Sequence, residues 1–273
     1  MQKLLIAVDF SPASRNAYEY AVWLSLVLNA EVHLVFINKA VQAEATLPEN
    51  VRREMVTREN MEYEQRLRRL ATAYPDQSPE DWSKLQLKSL MVRNGPVAQT
   101  LAETAAEVEA DLLVVGVREK HKLQEYLFGS VSTHLSGRTP CPLLIVPESA
   151  RYHPIKNIAF AVDITLDEQL ILPQLSAFAE PLGAEVMPFF VNMLPEEQDK
   201  IKVERLDAEG QRIDMVRDER VSSGINYYLE HFPCQMLAMY LPKRAFPDNL
   251  LRRNLVKRTA WRSQLPFLVF REK

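Results

Sequence analysis

The groups in this 273-residue chain whose type and spacing suit ligand chemistry are Gly116, the pair Gly129 and Ser130, and Asp9. Gly116 closes a continuous apolar run that follows Asp111, the pattern of a strand buried on both faces of a parallel sheet. Gly129 and Ser130 open a stretch in which Val131, Leu135 and Arg138 fall at helical spacing, and Pro140 and Pro142 stop it before a second apolar run at 143–146. The order is strand, loop, helix, strand. Small residues at the strand's end and the helix's start leave backbone N–H groups open at a helix N-terminus, where a phosphate can sit against the dipole. Asp9 ends the first apolar run, at the strand end where an open α/β sheet places ligand contacts. It can equally serve to cap the helix that follows.

No constellation for catalysis accompanies these groups. His33, His121, His134, His153 and His231 are scattered without metal-ligand spacing, so no metal is expected. The Gly-x-Ser-x-Gly elbow, the P-loop and the dinucleotide glycine fingerprint are all missing. Ser132 and His134 read as helix residues rather than members of a triad. The chain is therefore expected not to be an enzyme. Cys141 and Cys234 lie beside or within apolar strand candidates and are expected to be reduced, buried thiols.

The elements that must position these groups alternate along the first half. Strands are predicted at 4–8, 31–37, 85–92, 111–116 and 143–146, with helices at 13–28, 47–73, 97–108 and from 129 onward. Ser11 and Pro12 supply an N-cap and a first-turn proline, and the turn Asn94-Gly95-Pro96 introduces the third helix. Between 47 and 73, Val51, Met55, Tyr63, Leu67 and Leu70 form a narrow apolar stripe beneath alternating Glu and Arg, which read as a solvated face. Alternation of strand and helix predicts a parallel sheet.

After residue 147 the chain starts again. Residues 156–163 repeat residues 2–9, so that Asp9 recurs as Asp163, 154 positions on, and Ala30-Glu31-Val32 recurs as Ala184-Glu185-Val186. From Met91-Val92-Arg93, which recurs as Met215-Val216-Arg217, the offset is 124. The 30 missing residues match the charged helix, of which a turn or two is expected to survive at 195–207. At the shorter offset Gly116 becomes Tyr240, Glu119 becomes Lys243, and Gly129-Ser130 becomes Arg253-Asn254, so bulky side chains stand where phosphates would lie. Two domains follow, at 1–150 and 151–273, the second a shortened copy.

The stretch with Gly116, nine residues from Lys120 to Phe128, and then Gly129-Ser130 resembles the universal stress proteins. Nucleotide-binding members of that family carry Gly-x-x-Gly, nine residues, and Gly-Ser or Gly-Thr between the fourth strand and the last helix. Here Glu119 replaces the second glycine and sets a carboxylate where that loop approaches a triphosphate, a contact between like charges. The resemblance covers nearly the whole chain. It implies two adenine nucleotide alpha hydrolase-like, Rossmann-like α/β domains, each a five-stranded parallel sheet flanked by helices. It implies that Ala7, Val8, Asp9, Phe36 and Ile37 line an adenosine pocket in domain 1 and that Gly116, Gly129, Ser130 and Val131 hold phosphates, with ATP or AMP as the cofactor to test. It also implies an intrachain pseudo-dimer in which the last strands of the two repeats, at 142–146 and 266–270, pair and remove both edges. A further homodimer stays open.

The expected function is a non-catalytic role in the stress response, exerted by binding a small ligand or a protein partner. The alternatives are an ATP/AMP-binding switch or weak ATPase built on domain 1, and a carrier of an apolar ligand. A net charge of −3 and a pI near 6.0 give no electrostatic reason to expect nucleic acid or an anionic membrane as partner. Every apolar run falls short of the roughly 20 residues of a membrane span, and none reads as a secretory signal, so the expected compartment is the cytoplasm.

Overall fold

The computed structural model describes residues 2–39, 48–73, 82–118, 135, 139–162, 172–193, 203–208, 211–241 and 264–271. The chain divides into two compact units, one of Met1–Arg118 with Gly129–Glu148 and one that includes Ser149–Lys273. The first unit runs β1 (Lys3–Ala7), α1 (Pro12–Leu28), β2 (Glu31–Asn38), α2 (Glu49–Thr72), β3 (Gln86–Asn94), α3 (Val97–Glu107), β4 (Leu112–Val117) and β5 (Leu143–Pro147). Its strands lie in the order β3-β2-β1-β4-β5, and every pairing is parallel. Leu112 to Val115 of β4 and all five residues of β5 are buried, as continuous apolar runs covered on both faces must be. Of the helix predicted from residue 129, only Leu135 is described; it is helical and fully buried.

The second unit runs β6 (Asn157–Ala161), α4 (Leu172–Ala179), β7 (Glu185–Met193), β8 (Val203–Ala208), β9 (Gln211–Asp218), α5 (Val221–His231), β10 (Met236–Leu241) and β11 (Phe267–Arg271). Duplication is visible bond by bond. In the first unit Val8 N donates to Val35 O, and in the second Val162 N donates to Phe189 O, both at 2.8 Å. Leu113 N donates to Pro142 O and Leu237 N to Pro266 O, both at 3.0 Å. Even a side-chain brace is shared: Asp111 Oδ2 accepts from Lys3 N at 2.9 Å, and Gln235 Oε1 accepts from Asn157 N at 3.0 Å. The end of α1 is Asn29 in the left-handed region at φ 50°, and its counterpart is Gly183 at φ 63°, residue types that tolerate that conformation.

One expectation is corrected. Among the described residues the second unit has six strands, in the order β11-β10-β6-β7-β9-β8, and β8 runs antiparallel to β9 where a remnant of helix was expected. Only the two residues Glu209 and Gly210 separate the strands, a spacing that joins antiparallel neighbours and leaves no length for a crossover. The extra strand also covers the outer edge of β9.

In the first unit α2 packs against β2 and β3. Its charged side is exposed and carries the ion pairs Arg53–Glu49, Arg58–Glu62 and Arg68–Glu64, all one turn apart. Of the predicted stripe, Leu67 is fully buried and Tyr63 half-buried, whereas Val51 and Met55 are exposed. Between β2 and β3, His33 Nδ1 lies 2.8 Å from Ser89 Oγ, and Nε2 is buried with no hydrogen-bond partner among the described residues. Burial holds this histidine below its ordinary pKa; Glu31 opposes the shift, and Lys3 and Lys88 reinforce it. The neutral ring is therefore the folded form, and its contribution to stability is complete above the unfolded value near pH 6.5 and is lost as pH falls toward the lower folded value. Unfolding measured at pH 7.5 and 5.5 should show that loss, and His33→Gln should remove that part of the pH dependence. No helix among the described residues is long and apolar enough to cross a membrane.

Candidate functional site

The C-terminal ends of β1, β2 and β4 come together with the first turn of α1. Ala7 ends β1, and Val8 is 4% exposed, its N–H bonded to the β2 carbonyl of Val35. Asp9 then turns the chain. Its Oδ1 accepts from Ser11 N at 2.9 Å, its own N–H donates to Ser14 Oγ at 3.2 Å, and Phe10 between them takes φ 60°. A bulky residue in the left-handed region is strained, and this short polar network is what holds it there. Ser11 Oγ accepts from Ser14 N at 3.2 Å, so the predicted N-cap forms.

Partial burial by itself raises the pKa of Asp9. The hydrogen bonds from Ser11 and Ser14 and the charge of Arg118 outweigh it, and the net shift is downward. The carboxylate is thus an anion fastened to the start of α1. A group held ionised in this way is poorly placed to act as a general acid.

Gly116 has a packing role. A Cβ there would lie 2.3 Å from Ala13 O and 2.7 Å from Ser14 N, so the strand end and the helix's first turn approach as closely as they do only because no side chain intervenes. Gly129, Ser130 and Val131, as well as Glu119, lie outside the described residues. In the second unit Tyr240, at the position of Gly116, is buried, while Asp163, Lys243, Arg253 and Asn254 likewise lie outside the described residues.

Phe36 and Ile37 are neighbours on β2, and successive side chains of a strand point to opposite faces. Ile37 is 6% exposed and belongs to the core, whereas half-buried Phe36 faces an aromatic cluster. Its ring stacks on Tyr63 of α2 at 4.0 Å and lies 5.2 Å from Phe10. The Arg66 guanidinium stands 4.0 Å over the Phe10 ring. Asn38, at the end of β2, ties α2 in place by donating to Glu59 Oε2 at 3.0 Å and Asn60 Oδ1 at 3.1 Å. Phe10, Tyr63 and Arg66 were missed as site residues. The available signal was Tyr63 and Arg66 one turn apart on α2, with an aromatic residue directly after the strand-ending acid.

Three segments therefore build a half-exposed aromatic face beside a cation, next to a carboxylate committed to a helix cap. Such a face suits stacking with a planar ring. Among the described residues no group of three or more His, Cys, Asp or Glu is placed to hold a metal ion. Cys141 and Cys234 are free thiols, pushed by burial up to about 12 and about 11, which keeps them protonated and poorly nucleophilic.

Comparison with known proteins agrees with this architecture. Residues 1–147 match the model of the universal stress protein family. The chain is similar to stress response protein NhaX of Bacillus subtilis, 27% identical over 163 residues that make up 53% of this chain and 96% of that protein. It is similar to a universal stress protein of Methanocaldococcus jannaschii, 26% identical over 148 residues, 53% of this chain and 81% of the relative. A crystal structure of a universal stress protein from Archaeoglobus fulgidus matches with a TM-score of 0.70 at 14% identity, covering 99% of this chain and 98% of that one, which is a likeness of fold. With a family match over more than half its length and the fold to go with it, this chain belongs to the universal stress protein family.

Proposed function

We propose that this protein is a non-catalytic universal stress protein that works in the stress response by binding a ligand or a protein partner. Family membership supports the stress-response role. The observation that carries the non-catalytic reading is the use made of Asp9, whose carboxylate accepts from Ser11 N at 2.9 Å and serves the entry into α1. Gly116 is used in the same way, by the close approach of Ala13. Groups that the family resemblance assigns to a nucleotide are here engaged in folding.

A second reading is favoured by the aromatic face of Phe10, Phe36 and Tyr63 with Arg66, which offers a stacking surface to an adenine and makes an ATP- or AMP-binding switch, or a weak ATPase, its natural use. Titration of nucleotide-stripped protein with ATP, run beside an assay for phosphate release, separates the two. The leading reading expects no saturable binding at millimolar ATP and no release of phosphate. Micromolar binding that Gly129→Arg abolishes would replace it with the switch.

A further inference from the structure

The two units differ at one edge of their sheets. In the second unit the outer side of β9 carries an antiparallel strand, β8, in a register that runs from Val203 opposite Val216 to Ala208 opposite Gln211. The matching strand of the first unit is β3, whose Leu87 to Val92 stand 124 positions before Gln211 to Val216. Among the described residues β3 has β2 on one side and no strand on the other. The described residues just before it, Trp82–Lys84, at the positions of Leu206, Asp207 and Ala208, make a 3-10 turn. β3 is nine residues long, and none of its residues is fully buried. A strand edge of that length presents a row of N–H and C=O groups that an added strand can pair.

We propose that the outer edge of β3 is a docking site for an extended acidic segment of a partner protein, added antiparallel as β8 is added to β9. Charge selects this occupant. β3 reads QLKSLMVRN, with two cations and no acid, whereas β8 reads VERLDA, with two acids and one cation. A second copy of β3 would bring no carboxylate to any register, and in the register that sets Lys88 opposite Arg93 it is repulsive. Lys88 is 3.4 Å from Glu31 and Arg93 is 2.8 Å from Glu107, with the two basic side chains 47% and 37% exposed. Ion pairs this exposed are weak, so a partner's carboxylates can share these cations. The inference gives the partner-binding part of the proposed function a partner of stated chemistry, and a nucleotide titration leaves it untouched, so the two readings fail separately.

The test uses the full chain and a fluorescein-labelled peptide of residues 201–210, with a control peptide in which Glu204, Asp207 and Glu209 are replaced by Lys. Fluorescence polarisation should show salt-dependent binding of the acidic peptide and much weaker binding of the lysine peptide. The double variant K88E/R93E should weaken the acidic peptide about 10-fold and prefer the lysine peptide, while K88Q/R93Q should bind both alike. A reversal of preference is not produced by a merely damaged fold, and unfolding midpoints of both variants verify that. No binding at millimolar peptide, equal binding of both peptides by the unaltered chain, or no change in K88E/R93E would overturn the proposal. Binding that appears only after Asp76, Glu80 and Asp81 are replaced by Asn, Gln and Asn would assign the edge to the chain's own residues 74–81 instead. Self-association that the acidic peptide competes away would assign it to a second copy.

Discussion

Gly116→Ala is expected to lower the free energy of unfolding by about 3 kcal/mol or more, the upper end for overpacking at a close-packed position. The added Cβ would stand 2.3 Å from Ala13 O, 2.5 Å from Ala13 C and 2.7 Å from Ser14 N. All three are backbone atoms, so no side-chain rotation relieves the overlap. The first turn of α1 would have to withdraw from β4, against the Ser11 cap and the bonds of Asp9 that hold it. Urea denaturation is the measurement, with a lowered midpoint and an unchanged slope as the expected result. A loss under 1 kcal/mol would show that the helix start yields easily, and the packing role assigned to Gly116 would fall with it.

Tyr228→Ala should cost about 3–5 kcal/mol, the usual range for removing a fully buried aromatic ring. Tyr228 has no exposed surface; it stacks on Phe189 at 3.9 Å and 6° and on Phe232 at 4.3 Å and 17°. Its hydroxyl donates to Asp214 Oδ2 at 2.9 Å, and Asp214 is itself only 6% exposed. Tyr228→Phe keeps the stacking and withdraws that donor from a buried carboxylate, at a cost of about 1–3 kcal/mol. Ranking the two variants by urea midpoint separates packing from hydrogen bonding. Equal losses would mean that the Asp214 bond, and not the rings, secures α5 to the sheet.

Much of the fold was legible because its signals are local. Residues 2–9 and 156–163 repeat each other, and β1 and β6 appear where that repeat places them, at Lys3–Ala7 and Asn157–Ala161. The shorter offset carries α3 at Val97–Glu107 onto α5 at Val221–His231 just as closely. The missed strand β8 shows where such reading stops. Its sequence VERLDA has a mixed, short pattern, and pairing with β9 rather than its own periodicity makes it a strand.

The candidate site was legible only in part. Asp9, Phe36 and Gly116 lie where expected, at strand ends, but nothing local reveals what each touches. Phe10 and Tyr63 are 53 positions apart and their rings are 6.3 Å apart, a proximity created when α2 folds over the ends of β1 and β2.

By itself, then, the amino-acid order determined the duplicated α/β plan, the shortened second copy, the N-cap at Ser11 and the family likeness, since apolar periodicity, turn residues and caps act over a few neighbours. Only the tertiary structure decided that Asp9 serves a helix start, that Gly116 admits Ala13, that Phe10, Phe36 and Tyr63 form one aromatic face, and that β9 is covered while β3 has no strand on its outer side among the described residues. Those outcomes depend on which distant surfaces meet and at what distance. That is a property of packing three segments together, and no single segment encodes it.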